Sequence, residues 1–320
     1  DSKIELQRNP AWWRTATDGS GLPNIDAINL DPLAGGFERF DALLAGETDW
    51  APFVPFERVA ELDGRPEFTR ADYPLQDYQY TRLRATLGPL RDVRVRRALA
   101  FATDRARLIE QAYGGRGTPH AVLPPSVLPW AAPAEALPYH QADPAQARQL
   151  LAAAGFDDEL KLTNLAPRDG GLQNAASREL ATQWSSVGIT LAEQLLPYRE
   201  YLDRTFAGNF EVNVHWGNRY DDLDGYVSEF QTSGARNFGG WGDEAVDALI
   251  AQQRAALDVD ARKAKALEIQ TALAENAWAI GTASWTNTDA WSARLRGTAA
   301  STEPYAQTRL LAESWLEDPA

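Results

Sequence analysis

PLRDVRVRRALAFATDRARLIEQAYGG, residues 89–115, is the stretch on which the reading of the fold turns. Asp92 stands where a helix N-cap is wanted, Val95, Leu99, Ala102, Ile109 and Tyr113 recur at helical spacing, and Gly114-Gly115 end the run. The pattern predicts one amphipathic helix. Downstream, DPAQARQLLAAAGF (143–156) predicts a second, with Asp143 as cap, Pro144 at the first helical position, Leu150 and Leu151 inward and Gly155 just past the end. Short strand patterns, KLTNL (161–165), ITLAEQLL (189–196) and FEVNVHW (210–216), each follow a helix closed by Gly155, Gly188 or Gly208. This alternation predicts an α/β fold, a sheet covered by helices.

Upstream, KIELQRNPAWWR (3–14) reads as a strand broken at Asn9-Pro10, and FERFDALLAG (37–46) as an amphipathic segment stopping at Gly46. DEAVDALIAQQRAALD (243–258) and DARKAKALEIQTALAENAW (260–278) are two further helices. Residues 114–139 hold six prolines and no periodicity, and Val122, Leu123, Leu128 and Trp130 there predict an ordered, packed wrap.

The chain has 320 residues, longer than one typical domain, so two lobes are expected. Its 31 basic and 45 acidic residues give a net charge of −14, which repels nucleic acid and anionic lipid. No run of 18 apolar residues could form a spanning helix, and a secreted chain would already have lost its signal peptide. The absence of cysteine removes disulfides and thiolate chemistry. Methionine is absent too, including at position 1, so the chain reads as part of a longer one.

HWGNRYDDLDGYVSEF (215–230) concentrates the polar chemistry. As a calcium loop it would place Asp222, Asp224 and Gly225 correctly but Tyr220 and Gln231 where the first and last carboxylates belong, which argues against calcium. His120, His140 and His215 are too scattered for zinc. Close carboxylates and aromatics would suit a glycoside hydrolase, yet nothing in the spacing sets their acidities apart. As a solute grip the stretch follows a strand, at the edge where ligands of open α/β sheets bind. Trp216 offers an apolar wall, and Asn218, Arg219 and Tyr220 offer hydrogen bonds. An acidic surface turn with a core tryptophan accounts for the same residues equally well. Trp12, Trp13, Trp184 and Trp278 sit on apolar patterns and are expected in the core, and Arg94, Arg96 and Arg97 are expected to meet solvent or neighbouring acids.

In order, RNPAWW (8–13), ALLAGETDW (42–50), the stretch at 89–105, YGGRGTPH (113–120), DPAQARQLLAAAGF, VGI (187–189), HWGNRYDDLDGY (215–226) and residues 246–275 resemble the peptide/nickel type of solute-binding protein, family 5. These are extracytoplasmic receptors of ATP-driven importers, and the resemblance covers most of residues 4–297. It implies a two-lobed periplasmic binding protein, type II-like, that captures a small solute and hands it to membrane permease subunits. Residues 1–84 would be part of lobe I, 85–285 lobe II, and 286–320 the return to lobe I, with the N-terminal part of lobe I lacking. It further implies a monomer in the periplasm or at the outer face of the cytoplasmic membrane, without catalysis, metal, cofactor or nucleic acid. The solute-sensing region of a transcription regulator is the alternative, and a glycoside hydrolase a second. The resemblance favours 215–230 as the ligand loop, with Asp221 or Asp222 as its acidic group, and adds Asn237, Phe238 and Trp241 as a second group. Two departures stand out. Arg84 replaces the usual asparagine of the hinge segment TRLRATLGPL (81–90), and Arg219 replaces an aspartate that pairs with a peptide's ammonium. The second departure implies an anionic or sugar-containing solute in place of a simple peptide.

Overall fold

The structure is a computed structural model that describes residues 3–317 apart from 34, 75–77, 125–129, 158, 218–219, 221 and 299–310. In chain order the elements begin with β1 (Ile4–Gln7), β2 (Ala27–Leu30), α1 (Gly36–Leu44), β3 (Trp50–Ala51), β4 (Phe68–Pro74) and β5 (Gln79–Leu83). They continue with α2 (Val93–Phe101), α3 (Arg105–Tyr113), β6 (Gly117–Pro119), α4 (Pro144–Ala153), β7 (Leu160–Pro167), α5 (Leu172–Ser185), β8 (Ile189–Leu196) and α6 (Tyr198–Phe206). The chain closes with β9 (Val212–Trp216), α7 (Leu223–Val227), α8 (Glu244–Ala255), α9 (Val259–Asn276), β10 (Ala279–Ser292), β11 (Leu295–Arg296) and β12 (Trp315–Leu316).

Backbone proximity divides the molecule into two compact units, residues 1–75 with 286–320, and residues 76–285. Strand β5, on the first-lobe side of the expected boundary at 84, thus lies in the second unit. In the first unit, Phe40, Leu43, Ala51, Val54, Val59 and Leu62 form a core with Ala290, and the second half of β10 pairs antiparallel with β3 and β4. Trp12 and Trp13 depart from expectation: they are 44% and 81% exposed, ring against ring at 6.2 Å. They follow β1, whose four residues are all exposed in its ribbon with β2, so this short segment has no interior to enter.

In the second unit the strands run β10, β5, β9, β7, β8, with β6 also on β10. β7 is parallel to both β8 and β9, while β5 is antiparallel to β9 and β10. Gly281 is required where β10 passes residue 121, because a Cβ there would stand 2.1 Å from the Ala121 carbonyl oxygen. One core cluster gathers Leu83, Leu99, Leu162, Leu180, Trp184 and Val214 with their neighbours; a second gathers Tyr80, Leu123, Phe230, Trp241, Ile269 and Trp278. Trp184 and Trp278 are core residues as expected.

The single helix predicted over 92–113 is two. Asp92 caps α2 through the Arg94 amide, but Asp104 caps a new helix through the Arg107 amide, and Thr103 Oγ1 closes the first by donating to the Leu99 carbonyl. A short acidic side chain competes for free amides, so the helix restarts at Asp104. Arg94 does pair with Asp92, whereas Arg96 is buried and donates to the carbonyls of Leu90, Arg91 and Asn276. In the proline-rich wrap, Leu123 is core and Trp130 packs on the second cluster under Arg262; Leu128 lies outside the described residues.

Candidate functional site

Trp216 ends β9, at the carboxyl edge of the parallel strands, and is half-buried. Its ring meets Trp285 edge-on with centroids 4.0 Å apart, and its Nε1 donates to Gln173 Oε1 at 2.9 Å. Gln173 is 3% exposed, and its Nε2 donates to the Val214 carbonyl and, at 2.9 Å, to the Tyr201 hydroxyl. Asn213 Nδ2 also donates to that hydroxyl, at 3.3 Å, while His215 Nδ1 lies 2.7 Å from it. A phenol has one hydrogen and two lone pairs. With both lone pairs occupied, Tyr201 donates to His215 Nδ1, which puts the imidazole proton on Nε2. Burial, reinforced by the charge of Arg82, holds His215 well below the usual histidine range, so this ring is neutral.

Asn218, Arg219 and Asp221 lie outside the described residues. Tyr220 is anchored: its amide donates to the Tyr226 hydroxyl at 3.2 Å, and its own hydroxyl accepts from Arg236 Nη1 at 2.9 Å. Asp222 is the N-cap of α7 and accepts from Arg262 through both oxygens, at 2.6 and 2.8 Å. Those hydrogen bonds hold its carboxyl below the usual carboxylate range. Asp224 Oδ1 accepts from Gln253 and Arg254 at 2.7 and 2.6 Å. These two carboxylates therefore pin the segment to α8 and α9.

Asn237 closes a turn, accepting from the Trp241 amide and donating to the carbonyls of Gln231 and Trp241. Trp241, expected beside the solute, is 3% exposed, stacked between Phe230 at 4.8 Å and Trp278 at 6.3 Å, with Nε1 donating to the Leu83 carbonyl. It braces the core. Phe238 is half-buried against Phe206, 5.3 Å between ring centres, and its carbonyl accepts from Arg84 Nη1. A Cβ at Gly208 would lie 2.4 Å from that guanidinium nitrogen, so the glycine makes room for Arg84. Among the described residues neither Arg84 nor Arg236 is in an ion pair; each donates to an uncharged oxygen.

Sequence reasoning missed the charged centre under this segment. Arg82 and Glu229 are 1% and 2% exposed, with Nη2 and Oε2 3.4 Å apart. Tyr80 bridges them, its hydroxyl accepting from Arg82 Nε at 2.8 Å and donating to Glu229 Oε2 at 3.0 Å. The guanidinium lies 4.9 Å from the Tyr80 ring centre and 5.4 Å from that of Phe238. Burial pushes the Glu229 carboxyl up from its ordinary value, against the pull of Arg82. No local signal in the sequence marked it: only the sheet shows QYTRL flanked on both sides, where a buried arginine is matched by a buried counter-charge.

This arrangement of sheet and covering helices is shared with part of the fold of bacterial periplasmic binding proteins. It superposes on the DppA protein of Helicobacter pylori in complex with peptide STSA with a TM-score of 0.84 and 18% identity, over 99% of this chain and 61% of that one. The agropinic-acid complex of the binding protein AgaA from A. tumefaciens gives 0.84 and 18%, over 99% and 65%. Residues 1–238 match the middle part of the bacterial extracellular solute-binding proteins, family 5, and the chain belongs to that family. It is 26% identical over 269 residues to the probable deoxycholate-binding periplasmic protein YgiS of Escherichia coli, which is 82% of this chain and 49% of YgiS. The chain thus spans about half the length of that relative.

Proposed function

We propose that the protein acts as a non-catalytic solute receptor of an ATP-binding-cassette importer, outside the cytoplasmic membrane, passing its solute to the permease subunits. Residues 76–285 then form part of lobe II, and residues 1–75 with 286–320 part of lobe I. The solute seats at the carboxyl end of β9 against Trp216 and Tyr220, with Asn218, Arg219 and Asp221 supplying polar contacts, and Phe238, whose carbonyl meets Arg84 beside the start of β9, borders it. Asp222, Asn237 and Trp241 hold the surrounding segments in place.

The observation that carries this reading is Trp216: a half-buried indole at the ligand edge of the sheet, oriented by a hydrogen bond to a buried amide. The solute is anionic. Arg84 and Arg236 are in no ion pair among the described residues although the chain as a whole carries a charge of −14, and Arg219 adds a third cation, near Arg236 in sequence. Calorimetric titration with a free-amine peptide, its N-acetylated form and a sugar-acid conjugate tests both points. Tightest binding by the anionic ligands is expected; binding of the peptide only when its amine is free would reject the anionic reading. Hydrolysis of any of these ligands by the protein would reject the receptor reading itself.

A further inference from the structure

Glu229 uses one of its carboxylate oxygens and not the other. Oε2 accepts from Tyr80 and Arg82, while Oε1 is buried with no hydrogen-bond partner among the described residues. Glu229 also lines a small cavity, together with Tyr78, Tyr80, Tyr226, Phe230 and Leu273. The room available to the centre of a water-sized sphere there is about 10 Å³. One water molecule needs about that much.

Three physical arguments narrow the occupant. A buried carboxylate oxygen without a donor is costly, and an ionised carboxylate only accepts, so the occupant must donate a hydrogen bond. Arg82 already supplies the cluster's positive charge, so a second buried cation would face it in a medium of low dielectric. The aromatic walls exclude anything larger than a water molecule or an ammonium-sized ion. We propose that this cavity is an internal hydration site, holding one water molecule that donates to Glu229 Oε1. The water joins a polar centre linking β5, through Tyr80 and Arg82, to the turn Ser228–Phe230 just beyond the proposed ligand segment. It anchors that segment to the sheet whatever solute the protein carries.

A crystal structure of the protein, from crystals soaked in rubidium chloride and measured at the rubidium absorption edge, tests this. The expected result is a single water-strength peak about 2.5–3.0 Å from Glu229 Oε1, with no anomalous signal. A dry cavity, a protein donor on Oε1, or a rubidium signal there would each overturn the proposal. The double variant Arg82→Met/Glu229→Leu removes the acceptor without stranding a buried charge, and its crystals should lose the peak. A peak that persists in the double variant would show that Glu229 does not hold the water.

Discussion

Removing the Trp216 side chain separates a ligand wall from a packing residue. In Trp216→Ala the protein loses the Nε1–Gln173 hydrogen bond, worth about 1 kcal/mol net, and the edge-on contact with Trp285, worth about 1 kcal/mol beyond its buried area. Gln173 Oε1 is then left without its donor at a residue only 3% exposed, which adds about 1–3 kcal/mol unless solvent reaches it through the gap. A stability loss of about 2 kcal/mol if solvent reaches that oxygen, and up to about 5 kcal/mol if it does not, is expected. Trp216→Phe keeps a ring beside Trp285 but strands the same Gln173 oxygen, so it should cost about 1 kcal/mol less. Solute affinity obeys different arithmetic. An aromatic anchor contributes about 1–3 kcal/mol of binding, so Trp216→Ala should weaken the calorimetric affinity by roughly 5- to 150-fold, while Trp216→Phe retains most of it. Thermal midpoints and calorimetry on the two variants give both quantities. A large loss of stability in Trp216→Ala with unchanged affinity would refute the ligand-wall argument.

Three further outcomes are expected. Glu229→Leu alone strands a buried guanidinium and should cost about 3–5 kcal/mol in urea unfolding, whereas Arg82→Met/Glu229→Leu should cost far less; a double variant as unstable as the sum of the two single variants would refute the pairing. His120, fully buried with Nε2 3.0 Å from the Gln79 carbonyl, is pushed down to about 3 by burial and by the charge of Arg105, with His140 also facing it. Its folded value lies below the unfolded one, so its contribution to stability is present above pH 6.5 and is lost as pH falls toward 3, by about 1.4 kcal/mol per pH unit. His215 adds a loss of the same sign, and His120→Gln should flatten the profile between pH 6.5 and 4; an unchanged slope would count against His120 as its source. Asp222→Ala should cost about 1 kcal/mol as a lost helix cap while Asp222→Asn, which still caps, costs less; equal losses in thermal midpoint would show that the pair with Arg262 matters more than the cap.

Much of the second unit was legible because its signals are local. Asp92 and Asp143 cap the helices their positions predicted, and the strand patterns at 161–165, 189–196 and 210–216 lie on or overlap β7, β8 and β9. A cap is a contract between residues two or three apart, and periodicity needs only a window of one element. The break at Asp104 shows the limit of that logic: the apolar spacing ran on, and the capping carboxylate stopped the helix all the same.

The sequence by itself determined the alternation of strand and helix, the charge balance and the order of motifs that places the chain in its family. Only the tertiary structure decided what the individual polar and aromatic groups do. Trp216 and Trp241 are chemically identical, and their surroundings alone leave one half-open at a strand end and seal the other between Phe230 and Trp278. Asp222 reads in the sequence as a candidate ligand acid; in space it pairs with Arg262, and its neighbour Asp224 with Arg254, both on helices later in the chain. Arg82 and Glu229 stand 147 residues apart, and no local pattern pairs them. Coulomb attraction and desolvation depend on distance and burial in space, and sequence separation carries neither.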